Sequence, residues 1–120
     1  MVLDVTVANP GDIAIMRQLV RGIAQDNGWP NVFCLRAIAA LTAMAEVLYF
    51  GQKSRNTEPL RLSVNVYNGN GVEIQALTDF QEVCQNYAEA EWQLERVSNV
   101  FSIESDSAGD HIVMQLWMEK

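Results

Sequence analysis

The chain has 120 residues, 49% hydrophobic and 19% charged, with fifteen acidic against eight basic side chains and a net charge of -7. These proportions predict one globular domain, 1-120, able to bury a core without staples, and they exclude a disordered or fibrous chain. The acidic balance argues against duplex nucleic acid and an anionic membrane surface as partners.

Leu3, Val5 and Val7 alternate with Asp4 and Thr6, which predicts a strand with one buried face. Asn9-Pro10-Gly11-Asp12 reads as a helix start: Asn9 as N-cap, Pro10 in the first helical position, Asp12 near the positive end of the helix dipole. Ile13, Met16, Leu19, Val20 and Ile23 then share one face, Arg17, Gln18 and Arg21 lie towards the other, and Gly28 stops the helix before Trp29-Pro30.

The run Val32 to Gly51 is the most apolar and helix-prone stretch, with Asn31 placed to cap its start and Gly51 to end it in a left-handed conformation. A helix apolar nearly all round is a buried central helix or a membrane span. Arg36 and Glu46 leave only Ala37 to Ala45 free of charge, well short of the roughly 20 apolar residues that cross a bilayer. The expectation is a core helix.

A polar loop, QKSRNTEP, follows Gly51. Leu60, Leu62, Val64 and Val66 alternate with polar residues, Asn68-Gly69-Asn70-Gly71 supplies turn residues, and Val72, Ile74 and Ala76 resume the alternation, the pattern of a hairpin. Asp79 with Glu82 has capping-box spacing, and Phe80, Val83, Cys84, Tyr87, Leu94 and Val97 recur at helical intervals through about Asn99. Glu91 interrupts that stripe, which suggests a bend between Ala88 and Glu91. Phe101, Ile103 and Ser105 form a short strand, Asp106 to Asp110 a turn, and Ile112, Met114, Leu116 and Met118 the inward face of a last strand.

The order is β-α-α-β-β-α-β-β, which predicts an α+β two-layer sandwich: a mixed, mostly antiparallel sheet with helices on one face. Cys34 and Cys84 sit among apolar residues without a CxxC pair or Cys/His cluster, so both read as buried free thiols in a reducing cytoplasm. The start MVLDVTVANP has no basic region followed by an apolar segment, so no secretory signal is expected.

Several local signatures resemble the histidine-kinase-like (GHKL) ATPase superfamily, in particular its anti-sigma-factor and serine-kinase branch of bacterial partner-switching regulation. The resemblance rests on Asp12, Arg17, Gln18, Arg21, Ala24, Gly28 and Trp29 in the first helix, and on a tail in which Asn99-Val100-Phe101 leads into a strand ending Glu104-Ser105. It implies three nucleotide-binding features. The first is an E-x-x-x-N motif on the second helix, whose Asn ligates magnesium and whose Glu activates the attacking group. Anchored on Leu48-Tyr49 and Gly51, those places fall at Leu41 and Ala45, and aliphatic side chains neither ligate a hard cation nor move a proton. The second is a D-x-G-x-G turn; here it reads Asp79-Phe80-Gln81-Glu82-Val83, keeping the Asp and losing both glycines. The third is a Gly-rich lid, and no glycine lies between Asp79 and Phe101.

Two readings follow. The preferred one is a non-catalytic regulator, without ATP, magnesium or another cofactor, that docks onto a protein such as an STAS-type antagonist, a phosphatase or a sensor subunit. The alternative is a divergent ATP-binding serine kinase in which Asp79 still recognises adenine. A structural subunit or homodimer is a third possibility. His111, the single histidine, reads as a surface strand residue, and Glu82, Glu89, Glu91 and Glu95 as a solvated helix face. Arg17, Arg21 and Trp92 are the candidate partner contacts, because exposed aromatics and arginines are enriched at interface centres.

Overall fold

The structure, a computed structural model, describes residues 2-50, 59-67, 71-78 and 87-118. Gly51 and the polar loop after it, the Asn68-Gly69-Asn70 turn, the Asp79/Glu82 capping box, Phe80, Val83 and Cys84 lie outside these residues. Five strands, β1 (Val2–Val7), β2 (Leu60–Tyr67), β3 (Gly71–Thr78), β4 (Val100–Asp106) and β5 (Gly109–Trp117), form one sheet in the order β1-β2-β3-β5-β4. Among the described residues three helices accompany it: α1 (Gly11–Asn27), α2 (Asn31–Ala45) and α3 (Tyr87–Arg96). Every described ladder is antiparallel, so the parallel pairing implied by a mixed sheet is not found among these residues. The reason is connectivity: the β2–β3 and β4–β5 hairpins supply antiparallel neighbours, the chain returns through α1 and α2 so that β2 runs against β1, and β5 lies between β3 and β4, which run in the same direction.

The register places the apolar halves of the strands in line. Val5 lies opposite Leu62, Leu62 opposite Ala76, Ala76 opposite Ile112 and Ile112 opposite Ile103, with a parallel row through Val64, Ile74, Met114 and Phe101. A slip of one residue in any ladder would turn its apolar set to solvent, which is why alternation fixes the register. All three helices cover this face. α1 packs on β1, α2 on β5 and α3 on β4, so α2 lies between the other two.

The start of α1 keeps the expected role of Asp12 but shifts the cap by one residue: Pro10, with φ -59° and ψ -29°, stands at the cap position in place of Asn9, and Gly11 is the first helical residue. The Asp12 carboxylate accepts hydrogen bonds from the backbone N–H of Ala8 (2.7 Å) and Asn9 (3.2 Å), the reach-back half of a capping box. At its end Gly28 adopts φ 63° and ψ 34°, and the Gly28 and Trp29 amides donate to the carbonyls of Gln25 and Ala24 at 3.3 and 2.9 Å, a Schellman motif. Trp29 is thereby buried, edge-on to Phe33 with ring centroids 4.8 Å apart.

α2 departs from expectation in three respects. Pro30, with φ -58° and ψ 148°, occupies the cap position, and Asn31 is the first helical residue rather than a side-chain cap. The helix ends in a π turn, Glu46–Phe50, which no sequence pattern announced. It is also not apolar all round in use: Phe33, Cys34, Ala37, Ala40, Leu41, Met44 and Ala45 are buried, whereas Leu35 is exposed and Val32 is 71% exposed. By length and composition Asn31–Tyr49 is long and apolar enough to cross a membrane, with 19 residues and mean hydropathy 1.7. Its burial against α1, α3 and the sheet is what makes it the core helix of this fold.

α3 runs from Tyr87 to Arg96 without a break, so the bend expected near Ala88 to Glu91 is absent. Its buried stripe is Ala90, Leu94 and, partly, Val97, and Glu91 is half-buried beside it. The helix stops before Asn99, whose N–H donates to the Gln115 carbonyl (2.9 Å) and so joins β5 ahead of β4. Gly71, expected in the turn, is the first residue of β3, and the last hairpin closes tightly from Asp106 to Gly109.

Candidate functional site

The centre of α2 is where the resemblance places catalysis, so its surroundings decide what the helix can do. Leu41 is 2% exposed and Ala45 0%, and both belong to one core cluster with residues of β1, β2, β3, β5 and the three helices, against which the partly buried Phe101 and Ile103 of β4 pack. Neither offers an oxygen or a titratable proton. Next to them, the Thr42 hydroxyl is buried and finds no hydrogen-bond partner among the described residues. The π turn beyond Ala45 keeps Val47 and Leu48 buried and carries Tyr49 to the start of α1, where its hydroxyl donates to the Ala8 carbonyl at 2.7 Å. The second and third nucleotide features, Asp79 and the segment after it up to residue 86, fall outside the described residues. No cluster of His, Cys, Asp or Glu suited to a metal ion occurs among the described residues.

The three candidate contact residues are exposed but not assembled. Arg17 and Arg21 project from α1, over the β1 edge of the sheet, and neither pairs with a carboxylate of the described residues. Trp92 projects from α3, at the β4 edge, with the Arg96 guanidinium 4.8 Å from its ring centre, a one-turn cation–π pair. α2 separates the two groups, so they are not one patch.

His111 is a half-exposed strand residue, as expected, but it has a partner that the sequence reading did not pair with it. Across the hairpin, Asp106 Oδ2 lies 2.8 Å from its Nε2. Asp106 also accepts from the Ala108 N–H at 2.8 Å. That backbone bond first, and the histidine second, hold the Asp106 carboxyl below the usual carboxylate range.

Two concave regions lie elsewhere. A groove of about 360 Å³ runs beside the start of α2 between Pro30, Val32, Phe33, Arg36 and Met118. In it Arg36 stacks over Phe33 at 5.9 Å and donates to Asn99 Oδ1 (2.7 Å) and to the Trp117 carbonyl (3.2 Å). A depression of about 490 Å³ lies on the opposite face of the sheet, which no described helix covers, bordered by Asp4, Arg61, Gln75, Leu77 and His111. On that same face Glu73 accepts from Gln115 Nε2 at 2.9 Å, from Gln75 Nε2 and from the Tyr67 hydroxyl. The Gln115 bond is the main cause that lowers the Glu73 pKa; partial desolvation opposes it and the bonds from Gln75 and Tyr67 assist it. Partial burial first, and Glu73 second, push the Tyr67 phenol up.

Tyr67 and Trp117, both exposed on this face, were missed as candidates. The signal was present in the alternation itself, since both stand at the polar positions of their strands.

No family profile and no curated protein sequence matches the chain. Among solved structures, the crystal structure of the RsbU and RsbW domains of Rv1364c from Mycobacterium tuberculosis is similar over 98% of this chain, with a TM-score of 0.70 and 10% sequence identity. This chain spans 32% of that one. The likeness is therefore one of fold: an α+β arrangement of a five-stranded antiparallel sheet and three helices, shared with a protein that carries an RsbW domain.

Proposed function

We propose that this chain is a non-catalytic, protein-binding regulator of the partner-switching kind, acting in the cytoplasm on a partner such as an STAS-type antagonist, a phosphatase or a sensor subunit. The observation that carries the reading is the burial of Leu41 and Ala45, at the places where the resembled family keeps its Glu and Asn, in an apolar core. An aliphatic floor provides neither the oxygen that a magnesium ion requires nor a group that moves a proton. The shared fold with the RsbU/RsbW chain supports a regulatory setting, and the residues at the floor support the loss of nucleotide chemistry.

Calorimetric titration with ATP and magnesium tests the proposal. No heat of binding is expected; a dissociation constant of tens of micromolar or tighter would end it. The serine-kinase alternative makes the opposite forecast, namely ATP binding that Asp79→Asn weakens and label transfer to a partner protein.

A further inference from the structure

An antiparallel sheet packed on one face ordinarily shows a polar second face. Here the uncovered face carries Tyr67, Leu77, Val100 and Trp117, all exposed, with Tyr67 and Trp117 at 46% and 44%. The register sets Tyr67 opposite Gly71 and Gly71 opposite Trp117, so the two aromatic side chains stand on either side of a glycine. Their Cα atoms are then separated by two strand spacings, about 10 Å. A Cβ on Gly71 would lie 3.1 Å from the Leu116 carbonyl oxygen, so the floor between the rings is bare backbone.

In the row beside them, Asn65, Glu73, Gln115 and Val100 stand in register. The Glu73 carboxylate is fixed there by Gln115, Gln75 and the Tyr67 hydroxyl. Trp117 is fixed as well. Its N–H donates to Asn99 Oδ1 at 3.1 Å, and its carbonyl accepts from Arg36 Nη1 at 3.2 Å. An aromatic side chain on an immobilised backbone binds at little further entropic cost, and a buried Trp or Tyr is a typical centre of interface energy.

Charge selects the occupant. The uncovered face presents Asp4, Glu73, Glu104 and Asp106 against Arg61 and the half-exposed His111, on a chain of net charge -7. A second copy would set acid against acid, which opposes self-association through this face. A guanidinium or ammonium group suits it, because a cation is attracted to the faces of Trp and Tyr and to a fixed carboxylate. We infer that this face docks a protein partner which inserts an arginine or lysine side chain between Tyr67 and Trp117, towards Glu73, with apolar residues covering Leu77 and Val100. The inference rests on the protein-binding reading and specifies the surface and the charge of the partner.

Random-peptide display panned on the intact chain supplies the probe. Enriched peptides are expected to carry Arg or Lys beside apolar residues. Calorimetry with the synthesised peptide should show affinity falling about tenfold or more in Trp117→Ala and in Glu73→Gln, and falling with added salt, while Ile15→Ala, at an exposed position of α1, changes nothing. Glu73→Lys, checked for folding by circular dichroism, should abolish binding without touching an aromatic. The inference is overturned by an absence of enrichment, by enriched peptides without basic residues, by affinities that these variants leave unmoved, or by a sedimenting dimer that Trp117→Ala dissociates. Any of these, with ATP titration silent, leaves the binding-module reading standing. ATP binding would end that reading whatever the peptides do.

Discussion

Restoring the lost motif by Leu41→Glu with Ala45→Asn should unfold the protein rather than revive it. Leu41 and Ala45 are 2% and 0% exposed, so nothing on the replaced side chains reaches water. Removing the buried leucine forfeits about 1.5–3 kcal/mol of transfer free energy. An unpaired carboxylate in its place costs several kcal/mol after relaxation. An asparagine amide without partners adds about 1–3 kcal/mol, and its extra volume at a filled position adds strain. The sum, on the order of 6 kcal/mol or more, is comparable with the whole unfolding free energy of a domain, about 5–15 kcal/mol. The pH dependence gives the mechanism away. Burial raises the carboxyl pKa of the new glutamate in the folded state, so that state binds the extra proton, and the deficit shrinks in mildly acidic buffer and grows as pH rises. Urea denaturation followed by circular dichroism at two pH values measures this, with Leu41→Met, expected to cost under about 1.5 kcal/mol, as the volume-conserving control. A double variant that melts at the wild-type urea concentration, or that binds ATP with magnesium, would refute the claim that these positions are core and nothing else.

Three further outcomes are expected. Gly28→Ala should lower stability by about 1 kcal/mol: open space surrounds the position, so the cost comes from the left-handed φ of 63° alone, and Gly28→Asn should recover part of it in the same denaturation assay. Met114→Ala, at the fully buried centre of β5, should cost about 2–5 kcal/mol with no change in any surface interaction. Because the folded-state pKa of Asp106 lies below its ordinary value of 3.8, its contribution is present at neutral pH and is lost as pH falls through that lowered value. Asp106→Asn should therefore flatten the acid limb of the stability–pH curve and leave its alkaline limb unchanged, and an unchanged acid limb would count against the Ala108 and His111 contacts.

Period and punctuation alone determined most of the fold. The alternation in Leu60 to Val66, Val72 to Ala76 and Ile112 to Leu116 had one register that buried all three sets, and the sheet adopts it, because a slip of one residue inverts every side chain. Gly28 ended α1 for a local reason as well, since few other residues enter the left-handed region cheaply. At the candidate site, the sequence already disclosed which chemistry Leu41 and Ala45 lack, because side-chain type needs no coordinates.

What lay beyond local pattern was decided by packing. Whether the strands all run antiparallel, where α2 exposes Val32 and Leu35 while burying Ala37 and Leu41, and that α2 ends in a π turn depend on contacts between distant segments, to which periodicity is blind. Arg17, Arg21 and Trp92 could be named from the sequence as candidate contacts, but that α2 stands between their helices is a matter of packing. Tyr67 and Trp117, 50 positions apart, became neighbours across Gly71 only when β3 entered the sheet between β2 and β5. An aromatic at the outer position of one strand is unremarkable by itself; two of them beside a fixed carboxylate are a product of strand order, which only tertiary structure supplies.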